Sequence, residues 1–475
     1  MRGPVLTSSI VSLLAAPLLA ACGGAHADIA ADLWRPDKAI RVATGLAAET
    51  LCSDVFVSGL DPATVFEQTI RARPGPDRLA KHMHYRVDRT ARLITVDYFG
   101  HFVSRAGYRP GLGCRVVHDG PVDASLPPPA APTPSLLPEI AGPDIVEGAN
   151  PGLRAALDHV FAEPAQPPHR WVRAVVILKD GKVIAERYAP GIGVDTPLIG
   201  YSASKSVTST LVGIMVREGR LKVDQPAPVP AWSDPRDPRH AITLGNLMRM
   251  TSGLAIAQTG SGFDPASRML FTERDMAGYA ESARLARPPG TRWDYSDAST
   301  LIVSGILRDA AGGHGADVLG FARHELFEPL GMTSAIFQVD ATGTPVGSTG
   351  MMASARDWAR LGYLYAHDGV VGGRRILPEG WVAYSARPTL GTDYGAGFWT
   401  NAGSAENAVA RVKSGMPADT LYASGVLGQR VYVIPSRDLV IVRLGVTEKW
   451  PDFDIRGDLR LVREVLASLG PNLRQ

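Results

Sequence analysis

The stretch YSASKS, residues 201–206, runs directly into VTSTLVGIMVREG, residues 207–219. The apolar residues of the second part recur at helical spacing and the run ends at a glycine, which predicts a helix over 203–219. Ser202 then lies at the start of that helix. Because three residues of helix return the chain to the same face, the Lys205 amine can reach the Ser202 hydroxyl.

This serine–lysine pair is a candidate for nucleophilic catalysis. A serine hydroxyl is a poor nucleophile at neutral pH and needs an adjacent base. A lysine becomes that base when burial and the positive potential of a helix N-terminus stabilise its neutral form. The alternative is that Ser202 caps the helix and Lys205 is a solvated residue of its first turn. A lysine at this end opposes the helix dipole, which favours the catalytic interpretation.

The pattern on either side of the pair predicts an α+β domain. Two hairpins frame it, RAVVILKDGKVIAERYA at 173–189 and RVYVIPSRDLVIVRLG at 430–445. Strands at both ends with helices between them indicate one antiparallel sheet flanked by a helical cluster. Helical periodicity predicts further helices at 243–251, 273–284, 299–312, 316–330, 354–367 and 456–469.

Three parts of the chain differ in pattern. Residues 28–120 are predicted to form a small α+β domain, with a helix near 62–73 and a hairpin at 84–100. Residues 121–149 are rich in proline and lack periodicity, which predicts an extended linker. Residues 150–475 form the larger domain, which carries the serine–lysine pair.

The N-terminus predicts export. Residues 1–21 carry one arginine and then an apolar run that ends in small residues, the pattern of a secretory signal. The sequence LAAC at 19–22 resembles a lipoprotein cleavage site, which would make Cys22 a lipidated first residue. The sequence AHA at 25–27 is a competing signal-peptidase site. A transmembrane anchor is disfavoured because the run is short. We therefore expect a periplasmic protein or a membrane-anchored lipoprotein.

The other two cysteines form an even pair. Cys52 and Cys114 both lie in the predicted N-terminal domain. In an oxidising compartment such a pair predicts a disulfide. Two buried free thiols are the alternative.

Composition excludes several classes of function. The net charge of +2 arises from 49 basic and 47 acidic residues, so no charge excess would attract nucleic acid. No Gly-rich phosphate loop and no H-E-x-x-H metal motif occurs, and we expect neither a cofactor nor a metal. Residues 200–204 lack the last glycine of the G-x-S-x-G elbow, which argues against an α/β-hydrolase.

A tyrosine could complete the site. Tyr295 lies in PPGTRWDYSDAST, residues 288–300, just before a predicted helix. A tyrosine held near the lysine can relay a proton between nucleophile and leaving group. Taken alone, it could equally be an ordinary half-buried aromatic residue.

The order of the motifs SASK, MTSGL, PPGTRWDYSD and GSTGMMASARDWARLG resembles that of the β-lactamase-related serine hydrolases, over about residues 150–470. Within them it is most similar to the branch of 6-aminohexanoate-dimer hydrolases and esterases. The resemblance implies a β-lactamase/transpeptidase-like fold. It also implies a nucleophile at Ser202, a base at Lys205 and a catalytic tyrosine at Tyr295.

Two motifs depart from the family pattern. The family's Tyr-x-Asn reads Tyr295-Ser296-Asp297, which leaves the role of Asp297 open. Its Lys/His-Thr/Ser-Gly motif is matched by residues 423–425, where Ala423 replaces the cation beside Ser424 and Gly425.

That cation helps to hold a substrate carboxylate, so its absence argues against β-lactams and peptidoglycan peptides. By resemblance, the amides of Val426 and Ser202 would bind the oxyanion.

These observations predict a serine hydrolase that cleaves a small-molecule ester or linear amide through an acyl-enzyme on Ser202. The alternatives are a β-lactamase or D-alanyl peptidase, and a non-catalytic binding protein on the same scaffold. We expect no nucleic-acid partner and a membrane contact only through a lipid anchor. The sequence does not indicate an oligomeric state.

Overall fold

The computed structural model describes residues 36–73, 75–118, 134–259, 264–448 and 454–470. The predicted export signal and Cys22 lie outside the described residues, as does the first part of the predicted linker. Within the described ranges, no helix is both long enough and apolar enough to cross a membrane.

The N-terminal unit, described over 36–73 and 75–118, packs helices on an antiparallel meander. Its strands follow one another in chain order within the sheet. Its elements are α1 (Pro36–Cys52) with a π-helical turn (Ser53–Val57), α2 (Pro62–Val65) with a π-helical turn (Phe66–Arg71), α3 (Asp77–Ala80), β1 (Met83–Asp88), β2 (Leu93–Tyr98), β3 (His101–Arg109) and β4 (Gly113–Val116).

A disulfide between Cys52 and Cys114 ties the end of α1 to β4. The predicted hairpin at 84–100 corresponds to β1 and β2, and the predicted helix near 62–73 to α2 and the turn after it. Helix α1 was not predicted, although its apolar residues are spaced as on one helix face.

The second part of the chain is built around a six-stranded antiparallel sheet with the order β12-β13-β14-β15-β5-β6. Two smaller sheets, β7-β9-β8 and β10-β11, accompany it. The strands of all three sheets are β5 (Val172–Lys179), β6 (Lys182–Tyr188), β7 (Leu198–Ile199), β8 (Ile336–Phe337), β9 (Met351–Ala353), β10 (Val370–Val371), β11 (Arg374–Arg375), β12 (Trp399–Thr400), β13 (Leu421–Gly425), β14 (Gln429–Ile434) and β15 (Leu439–Gly445). The first and last long strands of the domain, β5 and β15, are neighbours, as the framing hairpins predicted.

Helices cover both faces of this sheet, and β5 is therefore buried on both sides. Val176 faces the larger helical cluster, whereas Val175 and Ile177 face α4 and α15. The helices are α4 (Pro151–Phe161), α5 (Ser204–Arg217), α6 (Leu244–Met248), α7 (Pro265–Thr272), α8 (Met276–Glu281), α9 (Asp297–Ala311), α10 (Gly315–Ala322), α11 (Glu328–Leu330), α12 (Ala355–Ala366), α13 (Trp381–Ala386), α14 (Glu406–Lys413) and α15 (Ile455–Leu469). The predicted α+β class, with an antiparallel sheet flanked by helices, is confirmed.

The described part of the predicted linker, residues 134–149, is packed on the second part of the chain. Leu137 and Ile140 are buried in its main core. The Arg356 guanidinium donates to the carbonyls of Gly142 and Asp144, at 2.7 and 2.8 Å. This segment therefore belongs structurally to the larger domain and does not act as a free spacer.

Candidate active site

Ser202 lies in a single 3-10 turn, Tyr201–Ala203, that leads into α5. It is half-buried and lines a cavity of about 1160 Å³. Tyr201, just before it, has a φ of 45°, in the left-handed region that non-glycine residues adopt only where their surroundings impose it. The Tyr201 ring is buried, and the Arg73 guanidinium lies 5.7 Å from its centroid.

Lys205 is buried one turn further along, with 3% of its surface exposed. Its Nζ donates to Ser202 Oγ at 3.2 Å and to the Ser348 carbonyl at 3.1 Å, and it also pairs with Asp297 Oδ1. An ammonium group has three protons to donate, and three acceptors surround it. These contacts suit an ammonium group and place it within hydrogen-bond distance of the serine hydroxyl.

The ionisation of Lys205 differs from what the sequence predicted. Burial lowers the pKa of its ammonium group, but the Asp297 carboxylate and then Tyr295 raise it, and the net direction is upward. Burial therefore acts in the direction that the sequence predicted, but the net effect does not favour a neutral lysine. The physical reason is that a carboxylate in direct contact outweighs the partial charge of a helix end.

Asp297 is the first residue of α9 and only 5% exposed. Gln258 holds it from two sides: its Nε2 donates to Asp297 Oδ2 at 2.8 Å, and its Oε1 accepts from the Asp297 amide at 2.6 Å. The role left open by the sequence is thus an ion pair with Lys205. Gln258 was not predicted, since it lies in an irregular segment without periodicity or a recognisable motif.

Tyr295 lies on the same side of the site, with its ring centroid 4.8 Å from Lys205 Nζ. Aromatic neighbours fix the ring: Tyr394 is edge-on at 5.6 Å, and Trp399 is tilted at 5.8 Å. Trp293 contacts all three rings at 5.9 to 6.2 Å. Lys205 therefore contacts both the predicted nucleophile and the predicted tyrosine.

The end of β13 closes the other side. A Cβ on Gly425 would lie 2.2 Å from the Gly200 carbonyl oxygen, so only glycine allows the strand to approach the turn that carries Ser202. Ser424 and Val426 line the same cavity as Ser202. Ala423, at the position of the family's cation, is buried in the core.

Comparisons with known proteins agree with this architecture. The family model described as Beta-lactamase matches residues 161–465. A 6-aminohexanoate-dimer hydrolase from Paenarthrobacter ureafaciens is 28% identical over 304 residues, which are 60% of this chain and 74% of that protein.

Two solved structures share the fold. A penicillin-binding protein homologue from Caulobacter crescentus has a TM-score of 0.53 at 18% identity and covers 68% of this chain and 100% of its own. A candidate 6-aminohexanoate-dimer hydrolase from Bacillus anthracis has a TM-score of 0.54 at 19% identity, with coverages of 70% and 89%. The family match begins after the N-terminal unit.

Proposed function

Because the chain belongs to the beta-lactamase family of hydrolases, we propose that it cleaves an ester or a linear amide through a covalent acyl-enzyme on Ser202. The observation that carries this proposal is the 3.2 Å contact between Ser202 Oγ and Lys205 Nζ at the wall of a large cavity. A buried base beside a nucleophile that reaches a cavity is the arrangement that acyl transfer requires.

The acylation step runs as follows. Lys205 acts from its neutral form, which is the minor form at neutral pH because its pKa is raised. It accepts the Ser202 proton while Oγ bonds to the acyl carbon, and the carbonyl π electrons move to the oxygen. The amides of Ser202 and Val426 stabilise that oxyanion. When the carbonyl re-forms, the bond to the leaving alcohol or amine breaks, and Tyr295 donates a proton to that group and regains one from Lys205. Water then attacks the acyl carbon while neutral Lys205 takes its proton. The bond between the acyl carbon and Ser202 Oγ breaks, the acid leaves, and Lys205 returns the proton to Oγ.

Two observations support an ester or linear amide as substrate. Ala423 supplies no cation where the family pattern has one for a carboxylate. The relative from Paenarthrobacter ureafaciens is named as a 6-aminohexanoate-dimer hydrolase, and an amino group and a carboxyl group condense to an amide. Acylation by penicillin-type compounds would instead indicate β-lactamase or peptidase work.

Intact-mass spectrometry after exposure to a fluorophosphonate tests the nucleophile. The native protein should gain one adduct, whereas Ser202→Ala should gain none. Ser206→Ala is the matched control, since this hydroxyl on the same helix donates to the Gly397 carbonyl at 2.6 Å; it should be labelled like the native protein. A folded native protein that stays unlabelled would favour the non-catalytic binding protein.

Replacing Asp297 by asparagine is expected to move the acidic limb of the kcat/KM profile to lower pH. Asp297 raises the pKa of the Lys205 ammonium. Since the base acts only in its neutral form, native activity should rise as pH climbs towards that raised pKa. Asparagine removes the negative charge, so the lysine loses its proton at lower pH.

Rates of 4-nitrophenyl acetate hydrolysis across the pH range measure this shift, after the rate of Ser202→Ala at each pH is subtracted as background. Asp294→Asn is the control, because Asp294 is an exposed carboxylate of the same segment, paired with Arg292 at 2.9 Å; it should leave the limb in place. A limb that moves to higher pH in Asp297→Asn would identify the Asp297 carboxylate as the final proton acceptor.

We also propose that the protein is exported, on the strength of residues 1–21. The disulfide between Cys52 and Cys114 supports this location, since disulfides persist in oxidising compartments.

A further inference from the structure

We propose that the N-terminal unit forms one wall of the substrate cavity, and that this wall selects esters or amides carrying an extended apolar group. This inference rests on the proposed function, because it names the substrate class of the same site. The unit lies outside residues 161–465, so the match to the family does not account for it.

The N-terminal unit is fixed beside the site by close contacts. A Cβ on Gly45 would lie 2.7 Å from the Phe271 carbonyl oxygen, so α1 and α7 touch through their backbones. Asp54 forms an ion pair with Arg173 of β5 at 3.0 Å, with both side chains buried. The Ser58 hydroxyl donates to the Pro197 carbonyl at 2.6 Å. The two parts of the chain therefore present one continuous surface.

The contact reaches the residue next to the nucleophile. Arg73 of the N-terminal unit lies over the ring of Tyr201, the residue before Ser202. The Arg109 guanidinium donates to the carbonyl of Val339, which lines the same cavity, at 2.9 Å. The wall is thus adjacent to the reacting group.

One face of α1 supplies the apolar part of this wall. Its cavity-lining positions recur every three to four residues, as one helix face requires. From the helix start to its third turn they are Pro36, Ala39, Ile40, Val42, Ala43 and Leu46. Polar side chains of α1 join the lining only in the last turns, at Glu49 and Thr50.

Apolar side chains of the larger domain line the same cavity. Leu270 and Phe271 come from α7, and Trp293 and Trp399 come from the aromatic cluster around Tyr295. A cavity of about 1160 Å³ is as large as those that hold drug-sized ligands, so an acetyl group would leave most of it empty. Each methylene that is buried there should improve binding by about fourfold.

The test compares kcat/KM for 4-nitrophenyl octanoate with kcat/KM for 4-nitrophenyl acetate. The native protein should favour octanoate by at least about tenfold. A second pair, octyl acetate and ethyl acetate, places the chain on the leaving alcohol. A preference in either pair supports the inference and shows which side of the scissile bond the wall contacts.

Ile40→Asp should lower the octanoate-to-acetate ratio by about tenfold, because a carboxylate replaces an apolar wall position. Ile40 is half-buried, and it belongs to none of the apolar core clusters of the described residues. Val103→Asp is the matched control, since Val103 is 50% exposed in the same unit and away from the cavity; the ratio should not change. Ile40→Trp should shift the preference towards shorter chains.

The ratio separates the possible failures. Loss of folded protein lowers both rates equally and leaves the ratio unchanged. If the native protein hydrolyses neither ester in a Ser202-dependent manner, the proposed function fails. If it hydrolyses both without a preference for the longer acyl chain, or if both Ile40 variants keep the native ratio, the proposed function stands. The proposal that the N-terminal unit forms a selective wall is then overturned.

Discussion

Replacement of Lys205 by alanine is expected to lower kcat/KM by about a thousandfold or more. Its Nζ lies 3.2 Å from Ser202 Oγ, and in the described part of the chain no other side chain forms a hydrogen bond with that hydroxyl. Steady-state rates with 4-nitrophenyl acetate measure the loss.

Lys205→Arg separates base catalysis from charge. An arginine can still pair with Asp297, but it cannot give up a proton in a protein. We therefore expect this variant to be about as inactive as Lys205→Ala. An arginine variant that keeps most of the native activity would mean that the cation acts only electrostatically. Thermal unfolding of both variants controls for folding, because removal of Lys205 leaves the buried Asp297 unpaired.

Replacement of Asp54 by alanine is expected to lower the free energy of unfolding by about 3 to 5 kcal/mol. The Arg173 guanidinium would then be buried without its counter-charge, and among the described residues the Thr69 hydroxyl, at 3.5 Å, would be its remaining hydrogen-bond partner. The pair connects the N-terminal unit to the central sheet, so its loss weakens the joint that places α1 at the cavity. Chemical denaturation followed by tryptophan fluorescence measures the change.

An exposed ion pair provides the comparison. Asp158 pairs with Arg187 at 2.7 Å, but both side chains are accessible to water. Asp158→Ala should therefore cost no more than about 1 kcal/mol. The double variant Asp54→Leu with Arg173→Met should recover much of the stability, since it removes both buried charges. If Asp54→Ala and Asp158→Ala lower the free energy of unfolding by equally small amounts, the buried pair does not stabilise the contact between the N-terminal unit and the sheet.

Local pattern predicted much of the fold and part of the site. The spacing of Ser202 and Lys205 is a property of one helix turn, and it holds wherever that helix packs. The two hairpins that frame the larger domain carry their own turn and alternation signals, and they meet in one sheet through β5 and β15. Helix α1 also has the spacing of a helical face, and this signal could have been found.

Other features could not be predicted because their partners lie far apart in the chain. Gln258 and the Ser348 carbonyl hold the Asp297–Lys205 pair. Gln258 lies in no recognised motif, and the motif that begins at Gly347 does not indicate that the Ser348 carbonyl contacts Lys205. The aromatic support of Tyr295 by Tyr394 and Trp399 joins residues about a hundred positions apart.

The sequence by itself determined the fold class, the nucleophile and base candidates, and the missing cation at Ala423. Only the tertiary structure decided that Asp297 contacts Lys205 and raises the pKa of its ammonium group, and that α1 lines the cavity. The ionisation of a buried lysine depends on which charges touch it, and Asp297 lies 92 residues away in the chain. Periodicity shows that a helix has an apolar face, but packing decides which surface that face meets.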